Sequence, residues 1–267
     1  MDILKTVSYG KKYFKMAVAL QEAELINVML TKWEVWYGIS KEEVNELEEI
    51  DKLLLRRILD APISTCTESI YFELDLVQIH ILNKAKRIIY LHYLIRLGEK
   101  EMLFKFFETQ WKYTIKDDWT SQVQKDIEDL NVDMSLEEIK KKSEYSFKRY
   151  IKIKMKEYSL EYLLSQKEKH TKMDNLHYVE LKIQNYLIDD DLTVQEAKNL
   201  YKFRTRSAKF KENYKNSYVG IACPLCLVQP DTQVHCVKCP EIVKKVSIKG
   251  TYSDIFGDEI STYPQPC

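Results

Sequence analysis

Glycine and proline are both scarce, six of each in 267 residues, a composition that leaves room for few tight turns. A charge excess is missing as well. Lys and Arg number 41 and so do Asp and Glu, so any nucleic-acid surface has to be a local patch and not a property of the whole chain. No apolar run reaches the roughly 18 residues of a membrane-crossing helix, so no membrane association is expected. The opening stretch, MDILKTVSYGKKYFK, is too polar and interrupted for a secretory signal. That predicts an intracellular location, nucleus or cytoplasm, and makes a disulfide-built fold unexpected. The sequence contains no Gly-rich phosphate loop, no endonuclease constellation and no Ser or Cys nucleophile with a placed His. Internal repeats and low-complexity tracts are absent too.

What is present is a soluble, globular composition, 45% apolar and 31% charged, rich in Leu, Ile, Lys, Glu and Tyr. It predicts a mainly α, multi-helix chain with enough material for one large domain or two modest ones. Residues 11–31 carry Phe14, Val18, Leu25, Val28 and Met29 near helical spacing, and Trp33 to Gly38 read as a connector or short strand. Three capping boxes, Ser40 with Glu43, Ser135 with Glu138 and Thr193 with Glu196, mark helix starts. The first opens a helix with the stripe Leu47, Ile50, Leu54, Ile58, ended before Pro62. Ser64 to Thr67 form a polar link into the most apolar segment, Leu74 to Leu97, with Val77, Ile81, Ala85, Ile88, His92 and Ile95 on one face. Beyond Gly98, a helix from Glu99 to Trp111 shows Met102, Leu103, Phe106 and Phe107, and Asp117 or Asp118 caps the next. Residues 144–168 predict a long charged helix bearing Lys148, Arg149, Lys152, Lys154 and Lys156. A further helix is expected from Leu176 to Leu187, and the one opened at Thr193 carries basic residues towards Lys215. His80 and His92 lie along the apolar helix and read as packed; His170 and His177 sit near a helix break.

The most specific chemistry lies between Lys202 and Cys239. Four of the six Cys crowd into 17 residues, and the ligands Cys223, Cys226, His235 and Cys239 follow the spacing C-x2-C-x8-H-x3-C. In a reducing compartment such spacing reads as metal before disulfide. Two residues between cysteines let one turn, stiffened by Pro224, aim both thiolates at one ion. Asp231 is the expected N-cap of a short helix, Thr232–Cys239, that places His235 and Cys239 one turn apart on one face. The result would be a closed tetrahedral site for one structural zinc ion, whose binding energy folds the module. Cys236 points away from that face, though its exchange for Cys239 stays open. The spacing differs from the short retroviral knuckle and from the ββα finger, so base reading in a major groove is not implied. Lys202, Arg204, Arg206, Lys209, Lys211 and Lys215 suit phosphate contact, and Tyr201, Phe203, Phe210, Tyr214 and Tyr218 offer stacking faces. Equally, Phe203 and Phe210 could be core and the lysines simply solvated.

Phe203-Arg204-Thr205-Arg206, Asn213-Tyr214-Lys215-Asn216-Ser217-Tyr218, Cys223-Pro224-Leu225-Cys226, Asp231-Thr232-Gln233 and His235 together resemble the C-terminal end of reverse transcriptases of non-LTR, LINE-like retrotransposons. Upstream, Glu34 to Gly38, Leu54 to Leu59, Tyr71 to Leu74, Leu91 to Leu94 and Trp119 are similar to the same family. The resemblance spans nearly the whole chain except its C-terminal end. It implies a thumb-like helical segment, a linker, and a zinc module that holds template RNA or target DNA. It also implies Cys223, Cys226, His235 and Cys239 as the zinc ligands. It does not bring the polymerase, which needs paired aspartates on an apolar hairpin and a third carboxylate upstream. Asp117-Asp118 and Asp189-Asp190-Asp191 lack strand-like flanks and read as helix-start signals.

The expected organisation is an N-terminal thumb-like segment at 1–62, a helical linker at 63–218, the zinc module at 219–246 and a loose tail at 247–267. Two functions fit. One is a nucleic-acid-binding, non-enzymatic fragment that binds RNA or DNA and the remainder of a retroelement polymerase. The other is a zinc-stapled structural or protein-interaction domain.

Overall fold

With glycine scarce, helices must end on other residues, and three of them end the same way. In the computed structural model, which describes residues 10–35, 39–113, 118–170, 173, 176, 180–210 and 222–244, Asp60, Asn131 and Arg206 take left-handed φ angles of 51°, 49° and 50°. Each closes a helix with a pair of reversed backbone bonds. Ala61 N–H donates to Arg56 O at 2.8 Å, Val132 N–H to Ile127 O at 3.0 Å and Ser207 N–H to Lys202 O at 2.8 Å. This is the Schellman closure, normally given to glycine because a Cβ is strained there. The first helix expected to stop at Pro62 is thus already closed at Asp60.

The fold is mainly helical, and no β-strand forms among the described residues. The chain runs through α1 (Gly10–Leu20), a π-helical stretch (Gln21–Ile26), α2 (Asn27–Met29), α3 (Lys41–Leu59), α4 (Thr67–Leu74) and α5 (Ile79–Ile95). It continues through α6 (Met102–Lys112), α7 (Trp119–Asp129), α8 (Leu136–Lys141), α9 (Glu144–Lys167), α10 (Val194–Arg204), α11 (Gln233–Lys238) and α12 (Pro240–Val243). Among the described residues no helix is long and apolar enough to cross a membrane. All three capping boxes are formed: Ser40 N–H donates to Glu43 at 2.8 Å and accepts Glu43 N–H on its hydroxyl, and both halves are present at Ser135 and Thr193. Asp118 caps α7 by accepting from Ser121 N–H; Asp117, Trp36 to Gly38, His177 and the tail at 247–267 lie outside the described residues.

Several elements depart from the sequence expectation. The apolar segment from Leu74 is broken: between the polar link and that segment lies a separate helix, α4, which takes in Leu74, and Asp75, at φ 58°, turns the chain before α5 starts. Of the two expectations for Trp33 onward, connector or short strand, the described residues Trp33–Val35 form a connector, a 3-10 turn. In α3 the buried positions are Asp51, Leu55, Ile58 and Leu59, while Ile50 is exposed. Asp51 can take that inward position because Gln21 Nε2 donates to it at 2.7 Å. In α6 Phe107 is buried, but Met102, Leu103 and Phe106 are exposed, so the inward face holds Phe104, Phe107 and Trp111. Among the described residues of 176–187, the only regular element is a 3-10 turn at Asn185–Leu187 and not a helix.

Two compact units result, and each gathers segments distant in sequence. One comprises 17–54 and 75–164. Its core joins Val77, Ile81, Ala85, Ile88 and Leu91 of the α5 region to Val123, Ile139, Phe147, Ile151 and Met155. Here His92 is packed as expected, stacked 4.6 Å from Phe147 with Nε2 on Lys142 O at 3.0 Å. Arg87 grips the fully buried Asp126 through Nε at 2.6 Å and Nη2 at 3.0 Å. His80 Nδ1 lies 2.6 Å from Glu48. Burial pushes the Glu48 carboxyl up, but the hydrogen bonds and charge of His80, with Lys52, outweigh it and hold it below 4.5.

The other unit comprises 1–16, 55–74 and 165–267. Its centre is Glu73, which has no solvent exposure. Arg204 Nε donates to one carboxylate oxygen at 3.3 Å and Tyr186 Oη to the other at 2.8 Å, while Gln184 N–H donates to the Glu73 carbonyl at 3.1 Å. The guanidinium also lies over the Tyr186 ring, 5.1 Å from its centroid. Ser69 and the fully buried Tyr201 hydrogen-bond at 3.1 Å one turn away.

Two outcomes follow. Arg204→Ala strands a buried carboxylate and is expected to cost about 3–5 kcal/mol in urea unfolding, where a solvent-facing arginine would cost almost nothing. Because the folded Glu48 carboxyl is depressed, its stabilisation is present above 4.5 and is lost as pH falls through the lower folded value. The stability gap between wild type and Glu48→Gln should therefore narrow on acidification, as read by urea unfolding over a pH series.

Candidate metal centre

The Cys223-to-Cys226 turn is built from backbone bonds. Leu227 N–H donates to Cys223 O at 2.9 Å and Cys223 N–H donates to Gln229 O at 2.7 Å. An isolated antiparallel bridge joins Ala222 to Pro230. Leu227 accepts a left-handed φ of 57° to make the loop fold back. The folded-back loop turns its amides inward: the N–H groups of Gln229 and Val228 reach the Cys226 sulfur, and with lesser help from His235 and Cys223 they lower that thiol to about 6.

The other two ligands come from α11 and its end. Thr232, and not Asp231, is the N-cap: its hydroxyl accepts from His235 N–H at 3.0 Å. The helix spans Gln233–Lys238, and Cys239 stands just beyond it with extended backbone, φ −62° and ψ 123°. Cys239 then caps α12, whose first position is Pro240. Burial raises the Cys239 thiol, and the N–H groups of Glu241 and Ile242 at the start of α12 oppose that rise.

These pieces bring all four ligand atoms within 4.8 Å of one another. Cys223 Sγ and Cys239 Sγ are 3.9 Å apart, and Cys226 Sγ and His235 Nε2 are 3.3 Å apart. Tetrahedral bonds of zinc-like length would separate two sulfurs by about 3.8 Å and a sulfur from a nitrogen by about 3.5 Å. The set fits a metal ion. Cys223, His235 and Cys239 are buried and Cys226 is half-buried, so three thiols and an imidazole close around one point. Cys236 is outside the cluster, its thiol raised by burial and by the charges of Asp231, Cys223 and Cys239.

Gln229 is a supporting residue that the spacing pattern does not reveal. Its Oε1 lies 2.8 Å from His235 Nδ1. An amide oxygen only accepts, so the bond keeps the proton on Nδ1 and leaves the Nε2 lone pair facing the cysteines. Gln233 does the equivalent for the module as a whole, donating from Nε2 to the Phe203 carbonyl near the end of α10.

The basic residues in front of the module divide into different roles. Lys202 pairs with Asp60, and Arg204 is buried against Glu73. Arg206 is half-buried and Lys209 exposed, while Lys211 and Lys215 lie outside the described residues, as do Tyr214 and Tyr218. Of the aromatic positions, Tyr201 is fully buried and Phe203 packs edge-on against Phe210 at 5.8 Å. Lys154 is matched to Glu157, Lys156 to Asp75 and Lys148 to Glu144 on α9.

Gln229→Ala removes the support but none of the ligands, and is expected to weaken metal affinity about 10- to 100-fold in a chelator competition. Cys226→Ser removes a ligand and should abolish binding at this centre. Compared with protein-family models, with curated proteins and with solved structures, the chain matches none.

Proposed function

We propose that this chain is a nucleic-acid-binding C-terminal region of a LINE-like reverse transcriptase, stapled by one structural zinc ion at Cys223, Cys226, His235 and Cys239. The observation that carries the proposal is the three-sulfur, one-nitrogen cluster directly behind a basic segment. Thiolate and imidazole donors suit zinc, and four protein ligands without an open position suit a structural ion. The order of motifs that resemble that family is what supports this parentage.

In this reading the zinc module does no chemistry on nucleic acid. It fixes the chain that leaves α10, and phosphate contact falls to Arg206 and the exposed Lys209, joined by Lys211 and Lys215. Lys202 and Arg204 already serve Asp60 and Glu73. The chain is assigned no phosphoryl transfer of its own. Asp118 caps a helix, and Asp189 to Asp191 form a turn in which Asp191 N–H donates to Asp189 at 2.9 Å. Polymerisation would belong to the remainder of a retroelement polymerase, for which this region would be a docking partner.

The same two internal ion pairs favour a second reading, a zinc-stapled domain whose surface meets protein. A salt series separates the two. Binding of single-stranded and duplex RNA and DNA should fall steeply with salt. Lys209→Ala should reduce the slope for a single strand by about 0.7 while leaving the fold intact. Affinity that is weak throughout, or indifferent to salt, would overturn the nucleic-acid assignment and leave the protein-interaction domain.

A further inference from the structure

A second group of ligand-type side chains lies in the unit built from 1–16, 55–74 and 165–267. Cys66 precedes α4, Glu68 sits in its first turn, and His170 follows the end of α9. Cys66 Sγ donates to Glu68 Oε2 at 2.8 Å, and His170 Nε2 is 3.5 Å from the same oxygen. One ligand atom from each lies within 4.8 Å of the other two. The fully buried Met173 brings its thioether 3.1 Å from the Cys66 sulfur.

The loop that carries Cys66 is held by an arginine that does not compete for the cluster. Arg56 Nη1 donates to Pro62 O at 2.8 Å, and its Nη2 donates to Thr65 O and to Thr67 Oγ1 at 3.0 Å each. Ser69 Oγ adds a bond to the Cys66 carbonyl at 2.7 Å. Cys66, Glu68 and His170 line a cavity of about 500 Å³ together with Thr65. Thr65 is 3% exposed, and its hydroxyl oxygen has no hydrogen-bond partner among the described residues. A buried hydroxyl without a protein partner beside a cavity is open to a water or a polar ligand there.

We propose that Cys66, Glu68 and His170 form a second metal site, for a zinc-class divalent transition ion held by a thiolate, a carboxylate oxygen and an imidazole Nε2. The fourth position faces the cavity and takes water or another oxygen donor. A nucleophilic Cys-His pair is the obvious competitor, and the hydrogen bonds disfavour it. His170 is paired with Glu68, and the thiol donates to the carboxylate and not to the imidazole. A mixed sulfur, nitrogen and oxygen set selects against the all-oxygen preference of calcium and magnesium. Three protein ligands with one open position contrast with the closed centre at Cys223. The partly exposed His170 side chain, at 41%, supplies an entry path. On binding, the thiol gives its proton to solvent and the sulfur bonds the ion; no electron is transferred. Burial and Glu68 keep that thiol protonated in the free protein, and the ion's charge reverses both effects.

The test is metal stoichiometry of the full chain loaded with zinc or cobalt(II) and freed of excess ion. Wild type should hold two ions, and the double variant Cys66→Ser, His170→Gln should hold one. The cobalt difference spectrum between them should show charge transfer from a single thiolate. Cys223→Ser with Cys226→Ser should also lower the count by one, by losing the other ion. Glu68→Gln preserves shape, and circular dichroism checks its fold; its affinity at the second site should drop at least tenfold. A wild-type count of one, a double variant that keeps both ions, or Glu68→Gln with unchanged affinity would overturn the proposal. None of these outcomes depends on whether the chain binds nucleic acid.

Discussion

A carboxylate with no contact with water has to be answered by the protein, and Glu73 is that carboxylate. Taking it out of solvent costs several kcal/mol, recovered only if both oxygens find good partners. Arg204 answers one and Tyr186 the other, so α4, the turn at Asn185–Leu187 and α10 are bound to a common point. The metal centre inherits this arrangement. Gln233 holds the module to the Phe203 carbonyl, one residue before Arg204. The end of α10 thus links the buried carboxylate and the cysteine-bearing module.

The two ligand clusters differ in how far backbone amides offset burial at sulfur. At Cys223 the backbone itself is folded towards sulfur: amides of Val228 and Gln229 serve Cys226, and those of Glu241 and Ile242 serve Cys239. The amides outweigh burial at Cys226, whose thiol is lowered, and only oppose it at Cys239, whose thiol is raised. At Cys66 the amides of Ser69 and Glu68 act in the same sense, but burial and the neighbouring Glu68 carboxylate outweigh them and favour the protonated thiol. Only a cation in their midst turns the Cys66–Glu68 contact from a thiol donating to an acid into two anionic ligands of one ion.

Local signals were legible because they depend on neighbours in sequence. A capping box needs only a hydroxyl and a carboxylate three residues apart, and all three formed where Ser40, Ser135 and Thr193 stand. Ligand spacing is equally local, which is why Cys223, Cys226, His235 and Cys239 converge while Cys236 does not. Burial is not local. Asp51 turned inward in place of Ile50 because Gln21, thirty positions away, satisfies it. Three apolar residues of α6 remained exposed because no described neighbour covers that face.

The basic run from Lys202 shows the same division most clearly. Its charge and its position before the cysteines are properties of the sequence alone, as are the helix starts, the mainly α class and the ligand set. Which of the described charges remains available was settled by the tertiary structure, because a guanidinium goes where a buried carboxylate most needs it. Glu73 lies 131 positions from Arg204. No periodicity in the chain links the two, and only the folded unit brings them together.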